Sequence, residues 1–426
     1  MARGQWPAIW LRPGDLQVTA PRSPLRPLDD ALAELLGHAT RMAGTETVST
    51  FDADGRVLAR DLVSALQIPP QDNSAMDGYA VRRADVTEEG VTLPVSQRIA
   101  AGSTPSALAP GSVARIFTGA VIPEGADAVV MQEDTEAAGD QLVRVNRQPI
   151  PAQFIRRSGE DVMRGAVVLA AGERLHAASL GMAAGVGMAS LEVARRPRVA
   201  LFSTGDELVM PGTVAPENMK PGTIYNSNRF FLRSLLKGLG CDVTDMGIVP
   251  DRLDATVDAL REASQQHDLI LTSGGVSVGE EDHVKPAVQA LGSLDLWQIA
   301  VKPGKPFAYG TVGAAHFIGL PGNPVSSFVT FLLLVRPFLL KLQGASKLHV
   351  NAVMVPAHFA WPRSDKRREF LRARLDAQGG LELFTNQGSG VLASMVWGDG
   401  LVDVAPGQTV AHGDAVRFLP FSELLA

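Results

Sequence analysis

The strand-to-helix rhythm that begins at Pro197 excludes more folds than any other feature of this chain. RVALFST reads as a strand, and NSNRFFLRSLLKGLG as a helix with Asn226 or Ser227 at its start and Gly238 or Gly240 near its stop. CDVTDMGIV reads as a second strand, Arg252 to Gln265 as a second helix and HDLILTSGG as a third strand. Strands separated by whole helices cannot be joined as hairpins, so they pair in parallel with helices on both faces of the sheet. KPGKPFAYG predicts a loop and hairpin, HFIGL a last core strand, and PGNPVSSFVTFLLLVRPFLLKL a loop entering a long apolar helix.

The flanking segments have a different texture. Leu28 to Gly44 carries acids at its start and apolar residues at helical spacing, which predicts an amphipathic helix closed by Gly44. From there to about Val193, short β-like runs such as ARIFTG and AVVMQE alternate with glycine- and proline-rich turns. One or two small, mainly β domains are expected. After Lys347 the β character returns, suited to a small C-terminal barrel or sandwich. A length of 426 residues implies two to four domains.

Composition narrows the function classes. The net charge of -6, with lysines and arginines scattered, argues against a broad nucleic-acid footprint. The single Cys241 cannot form an internal disulfide, which fits a reducing, cytoplasmic setting. Phe328 to Leu340 is the one membrane candidate, but Arg336-Pro337 interrupts it and it falls short of the ~20 apolar residues of a spanning helix. A buried helix is expected there. Residues 1–27 lack a continuous apolar region and read as a loose extension.

Three strand ends carry the chemistry. STGDEL, IVPD and TSGGVSVGEED all follow expected parallel strands, where open α/β sheets bind ligands. In the last of these, Ser273, Gly274, Gly275 and Ser277 have the build of an anion cradle, with backbone N–H groups and hydroxyls as donors. Neither a Walker loop nor a dinucleotide fingerprint is present. Acids beside a phosphate repel it unless a divalent cation lies between, so Glu207, Asp251 and Asp282 are candidate Mg²⁺ ligands, with Asp206 beside them. Lys302 and Lys305 sit on a proline-stiffened loop suited to a tetrahedral oxyanion, and Pro321, Pro324 and Ser326 lie where a second stiffened loop enters a helix. Upstream, DNSAMDGYAVR and RRSGED mix acids, arginines and glycines in ways that ordinary turns can also show.

Taken in order, DNSAMDGYAVR, FTGAVIPEGADAVVMQED, RRSGED, LFSTGDEL, TSGGVSVGEED, KPGKPFAYG and GLPGNPVS resemble the molybdopterin molybdenumtransferases: the bacterial MoeA proteins, their plant counterparts and the E domain of gephyrin. The resemblance implies a multidomain α/β plus β architecture. Its parts are an elongated N-terminal domain (28–70 with 162–195), an inserted β-rich domain (71–161), a three-layer α/β domain with a mostly parallel sheet (196–346), and a small C-terminal β-barrel-like domain (347–426). It implies a homodimer, in which the inserted domain of one subunit covers the α/β site of the other. It further implies insertion of molybdate into adenylyl-molybdopterin with Mg²⁺-dependent release of AMP. The other proteins of the molybdenum-cofactor pathway, molybdopterin adenylyltransferase among them, are implied partners. Carried over by motif, the catalytic positions are Asp77, Thr118, Asp161, Glu207, Asp251, Asp282, Lys302 and Lys305, with Pro321 and Pro324 beside the substrate. Gln298 stands where many bacterial members carry a lysine, and Arg367 and Ser389 are further candidate anion contacts. The rival readings are a molybdopterin adenylyltransferase, which shares the α/β domain alone, and a non-catalytic dimeric scaffold of the same fold.

Overall fold

A computed structural model describes residues 25–275 and 283–425. The chain divides into two compact units, residues 43–195 with 344–346, and the remainder.

The unit that contains the parallel sheet begins with helix α1 (Leu28–His38), which packs its buried Leu28, Ala31 and Leu35 inward. The sequence places this helix with residues 43–70. It belongs to the α/β unit instead, where the Lys341 ammonium donates to the Leu36 carbonyl at 2.6 Å. Residues 25–27 are likewise not loose, since the N–H groups of Arg26 and Ala300 donate to the carbonyls of Gln298 and Arg26, both at 2.7 Å. The elements that follow are β1 (Arg198–Thr204), α2 (Asn228–Gly238), β2 (Asp242–Val249), α3 (Leu253–Gln266), β3 (Leu269–Ser273), α4 (Val284–Leu291), β4 (Gly292–Gln298), β5 (Val301–Lys302), β6 (Pro306–Val312) and β7 (Ala315–Leu320).

The sheet order is β2-β1-β3-β7-β6-β4. Its first four strands are parallel, while β6 and β4 run antiparallel as the hairpin pattern in KPGKPFAYG requires. Residues of one pleat face, including Ala200, Phe202, Ile270 and Phe317, bury against Leu260 and Ala263 of α3 and Ala287 and Val288 of α4. Side chains of a strand alternate between faces, so Val199, Leu201 and Leu271 meet the opposite face, where α2 and the helix after β7 lie.

That last helix runs as α5 (Pro324–Thr330), a π turn over Phe331–Val335, and α6 (Arg336–Leu342). Arg336-Pro337 interrupts the apolar run in sequence but not the helix, which is buried as expected. Proline inside an α-helix removes one i→i−4 hydrogen bond and crowds the carbonyl four residues back, and a π turn just before it relieves both. The stretch Pro324–Leu342 is long and apolar enough to cross a membrane by composition, but 83% of its most apolar window is buried inside the fold, as a core helix would be.

The C-terminal segment adds β8 (Val353–Pro356), β9 (Arg368–Leu375), β10 (Leu381–Leu383), β11 (Gly400–Val404) and β12 (Ala415–Pro420). They pair in the order β5-β9-β11-β12-β8, with β10 on the side of β9. A bridge from Ala357 to Leu381 brings the end of β8 back to β10, wrapping the sheet around a core of Leu371, Ala373, Val402, Val404 and Phe418. β5 lies in this sheet although its sequence neighbours belong to the α/β sheet.

The other unit contains a six-stranded sheet drawn from Gly78–Val145, whose strands Gly78–Val81, Val113–Ile116 and Ala128–Met131 are covered on both faces while Leu142–Val145 buries only one. Val81, Val113 and Val130 pack on one side, Ala80, Ala114 and Val129 on the other. Residues 43–70 and 162–195 form a separate core around Leu58, Leu175, Leu191 and Val193. DNSAMDGYAVR, which reads as an unusual loop, is half strand: Gly78–Val81 is the segment from which the sheet extends both ways. Gly78 is required there because a Cβ would fall inside contact distance of the Val130 carbonyl.

Candidate functional site

The C-terminal rim of the parallel sheet opens into a cleft of about 690 Å³. Its walls come from the strand ends the sequence singles out. Thr204 and Glu207 follow β1, Ser273 and Gly274 end β3, and Pro321, Gly322, Asn323, Pro324 and Ser326 span the turn from β7 into α5. Gly274 (φ +93°) and Gly275 (φ +68°) are left-handed, and a Cβ on Gly274 would lie 2.9 Å from the Thr204 carbonyl oxygen. Only glycine passes this point without strain. The Gly274 N–H donates to the Leu320 carbonyl at 3.0 Å, locking the β3 and β7 ends together. Below them, the hydroxyls of Ser203 and Ser273 pair at 3.3 Å.

Glu207 is exposed on the cleft wall, and Gly205 (φ +140°) sits under its carboxylate. The Asp251 N–H donates to the Asp206 carboxylate at 3.4 Å, so the β1 and β2 loops meet. Asp282 and Ser277 lie outside the described residues. Among the described residues, no three His, Cys, Asp or Glu side chains form a metal cage.

The lysine loop differs from expectation. Lys302 is not free to cradle an anion: its ammonium lies 2.8 Å from Glu369 and 3.6 Å from Asp365. Glu369 is buried, and its other oxygen accepts from the Trp361 indole at 3.0 Å. Asp365 is itself clasped by the Arg367 guanidinium (2.7 and 3.0 Å), which with backbone and Lys302 charge holds its carboxyl well below the usual range. Arg367 is therefore committed to Asp365. The cause is strand pairing, since β5 sets Val301 and Lys302 beside Arg368 and Glu369. Lys305 meets no carboxylate among the described residues. Ser389 enters through its backbone carbonyl, which accepts from the Val325 N–H at 2.9 Å.

Asp77 and Thr118 come together in the other unit. The Thr118 backbone N–H and hydroxyl both donate to one Asp77 oxygen at 2.8 Å. These bonds hold the exposed Asp77 carboxyl below its ordinary value. Strand pairing also joins DNSAMDGYAVR to RRSGED, with Asn73–Ser74 against Ile155–Arg156 and the Ser158 N–H donating to Asp72 at 2.8 Å. Asp161 is exposed, and its N–H donates to the Ile68 carbonyl at 3.0 Å.

Sequence reasoning missed Asn226 and Asn228 as cleft residues. Both line it, and both are buried. The Asn228 amide donates to the Gly322 carbonyl at 2.7 Å, fixing the β7 turn to α2. The only signal was their place at an expected helix start.

The comparisons agree along the whole chain. Residues 26–187 match the MoeA N-terminal region (domain I and II), 200–341 a probable molybdopterin binding domain, and 354–421 the MoeA C-terminal region (domain IV). A molybdopterin molybdenumtransferase of Haemophilus influenzae is 40% identical over 93% of this chain and 99% of its own length. One from a Nostoc species is 36% identical over 96% of each. Among solved structures, a molybdopterin biosynthesis MoeA protein of Pyrococcus horikoshii superposes with a TM-score of 0.79 at 29% identity, covering 93% of this chain and all of that one. With its three regions matched in order and its full-length relatives at this identity, the chain belongs to the MoeA family of molybdopterin molybdenumtransferases.

Proposed function

We propose that this protein is a molybdopterin molybdenumtransferase, inserting molybdate into the dithiolene of adenylyl-molybdopterin with release of AMP. The observation that carries the reading is the rim cleft itself, in which the strand-end loops named by the family motifs form one continuous wall. Ser273 and Ser326 offer hydroxyl donors for phosphate, and Pro321 and Pro324 stiffen the turn so that little ordering is lost on binding. Lys305, which meets no carboxylate among the described residues, is the cation we assign to molybdate. Lys302, held by Glu369 and Asp365, presents its charge from a fixed position. No covalent enzyme nucleophile is needed, because positioning and charge neutralisation suffice for transfer at phosphorus.

Mg²⁺ fits this donor set as a ligand-borne ion. Glu207 and Asp206 are hard oxygen donors at the rim, and Mg²⁺ needs only one or two carboxylates besides phosphate oxygens and water. Asp251, whose N–H meets the Asp206 carboxylate, would complete the same edge, and Asp282 is a further candidate by family motif alone. When bound, the ion supplies neutralisation of pyrophosphate charge. We further propose a homodimer in which Asp77 of the partner subunit, oriented by Thr118, reaches the cleft. The isolated pair motivates this, being a preorganised and exposed carboxylate.

The test is AMP release from adenylyl-molybdopterin. Release that requires molybdate and Mg²⁺ together supports the reading. Equal release without either overturns it, and formation of adenylyl-molybdopterin from ATP and molybdopterin would favour the adenylyltransferase instead.

A further inference from the structure

Asn226 is an unusual component of the cleft wall. It is 2% exposed and lies between the two-residue strand Ile224–Tyr225 and helix α2. Its backbone N–H donates to the Val209 carbonyl at 2.9 Å. Its side-chain oxygen accepts from the Arg229 N–H at 3.2 Å, as an N-cap does. That bond also fixes which end of the amide is which, because swapping oxygen and nitrogen would set two donors face to face. The amide is planar, so its nitrogen must diverge from Arg229. This Nδ2 is buried and has no acceptor among the described residues.

A buried donor without an acceptor costs about 1–3 kcal/mol, so such groups call for an account. A cap alone supplies none. Serine or aspartate would cap α2 equally well and leave no orphaned N–H. Among the described residues, the same cleft wall carries the hydroxyls of Ser273 and Ser326, both able to donate, and a single carboxylate, Glu207. A wall of donors suits an acceptor-rich, anionic ligand.

We propose that Asn226 is a substrate-positioning residue whose Nδ2–H donates to a phosphate oxygen of molybdopterin in the rim cleft. The inference rests on the proposed function and deepens it. Asn228 supports the geometry from two residues away, by holding the Gly322 carbonyl. Two amides thus sit at the start of α2, one tying the β7 turn to it and one with a donor to spare.

The experiment uses the full chain and two variants, Asn226→Asp and Asn226→Ser. Both keep an N-cap, and both lose the donor where Nδ2 now stands. Binding of molybdopterin is followed by titration, and folding by thermal melting. We expect wild-type melting for Asn226→Ser, with molybdopterin bound about tenfold more weakly, in keeping with loss of one hydrogen bond to a charged group. Asn226→Asp is expected to lose more, up to about a hundredfold, because its carboxylate repels phosphate. Unchanged binding in both variants would reduce Asn226 to a helix cap. A loss no greater for aspartate than for serine would overturn the phosphate as acceptor. AMP serves as the second probe: if its binding falls equally, the acceptor lies on the nucleotide and the assignment to molybdopterin is wrong. Failure of the wild-type protein to bind molybdopterin would overturn the proposed function itself, a result separable from every outcome above.

Discussion

Replacing Lys302 by alanine should destabilise this protein in a way that is rescued by a second change. Glu369 is buried, its carboxylate lying between the Lys302 ammonium at 2.8 Å and the Trp361 indole at 3.0 Å. At that separation and an effective dielectric near 20, the gross attraction is about 6 kcal/mol. Withdrawing the carboxylate from water offsets several kcal/mol of this, and Lys302 is 43% exposed, which screens it further. A net loss of about 2 kcal/mol is expected for Lys302→Ala, since the variant strands a buried charge. The penalty belongs to the ionised carboxylate. In the double variant Lys302→Ala, Glu369→Gln the stranded charge is gone, and most of the loss should return. Urea unfolding of the wild type, the two single variants and the double variant checks this. A deficit without rescue would refute the pairing as the source. AMP release by the double variant then asks the functional question without the stability confound: activity still lost in a stable protein assigns the ammonium to substrate.

Three further outcomes follow from the packing and the charges. Gly78→Ala forces a Cβ into the Val130 carbonyl, and overpacking of this kind should lower stability by about 2 kcal/mol or more, read by thermal melting. Burial pushes the Cys241 thiol up to about 12, so the native protein should resist thiol reagents at pH 8 and react only once unfolded by urea. Asp365, held down chiefly by Arg367, contributes stability above the ordinary carboxylate range of about 4, and this is lost as pH falls through its depressed value. Asp365→Asn should accordingly flatten the acid side of the stability profile, leaving the neutral side lower.

The sheet and the cleft loops were legible because they rest on local rules. Leu269–Ser273 is uniformly apolar up to its last residues, and the glycine pair after it supplies the left-handed backbone that other residues resist. Other features are set by partners distant in sequence. Nothing near Lys302 announces that Glu369 will neutralise it, because that contact follows from pairing two strands more than sixty residues apart. α1 reads as an amphipathic helix in either location, and only its packing decides that it joins the α/β unit. The helix through Pro337 was legible from its apolar run, whereas the π turn that accommodates the proline is set by tertiary burial. Asn226 was legible as a cap, but its second nitrogen became informative only once its surroundings were known.

The two residues of β5 have a consequence for how such a protein can be divided. Val301 and Lys302 leave the α/β sheet, run alongside Arg368 and Glu369, and return to it at Pro306. The lysine loop is thus a strap buckled at both ends, one end in each sheet. A chain ending near residue 346 would retain every strand of the α/β sheet and lose the buckle. Such a fragment could keep a folded rim, yet its Lys302 would have neither the strand that aims it nor the acids that hold it. Lys302 and the C-terminal domain are in this sense one inherited part.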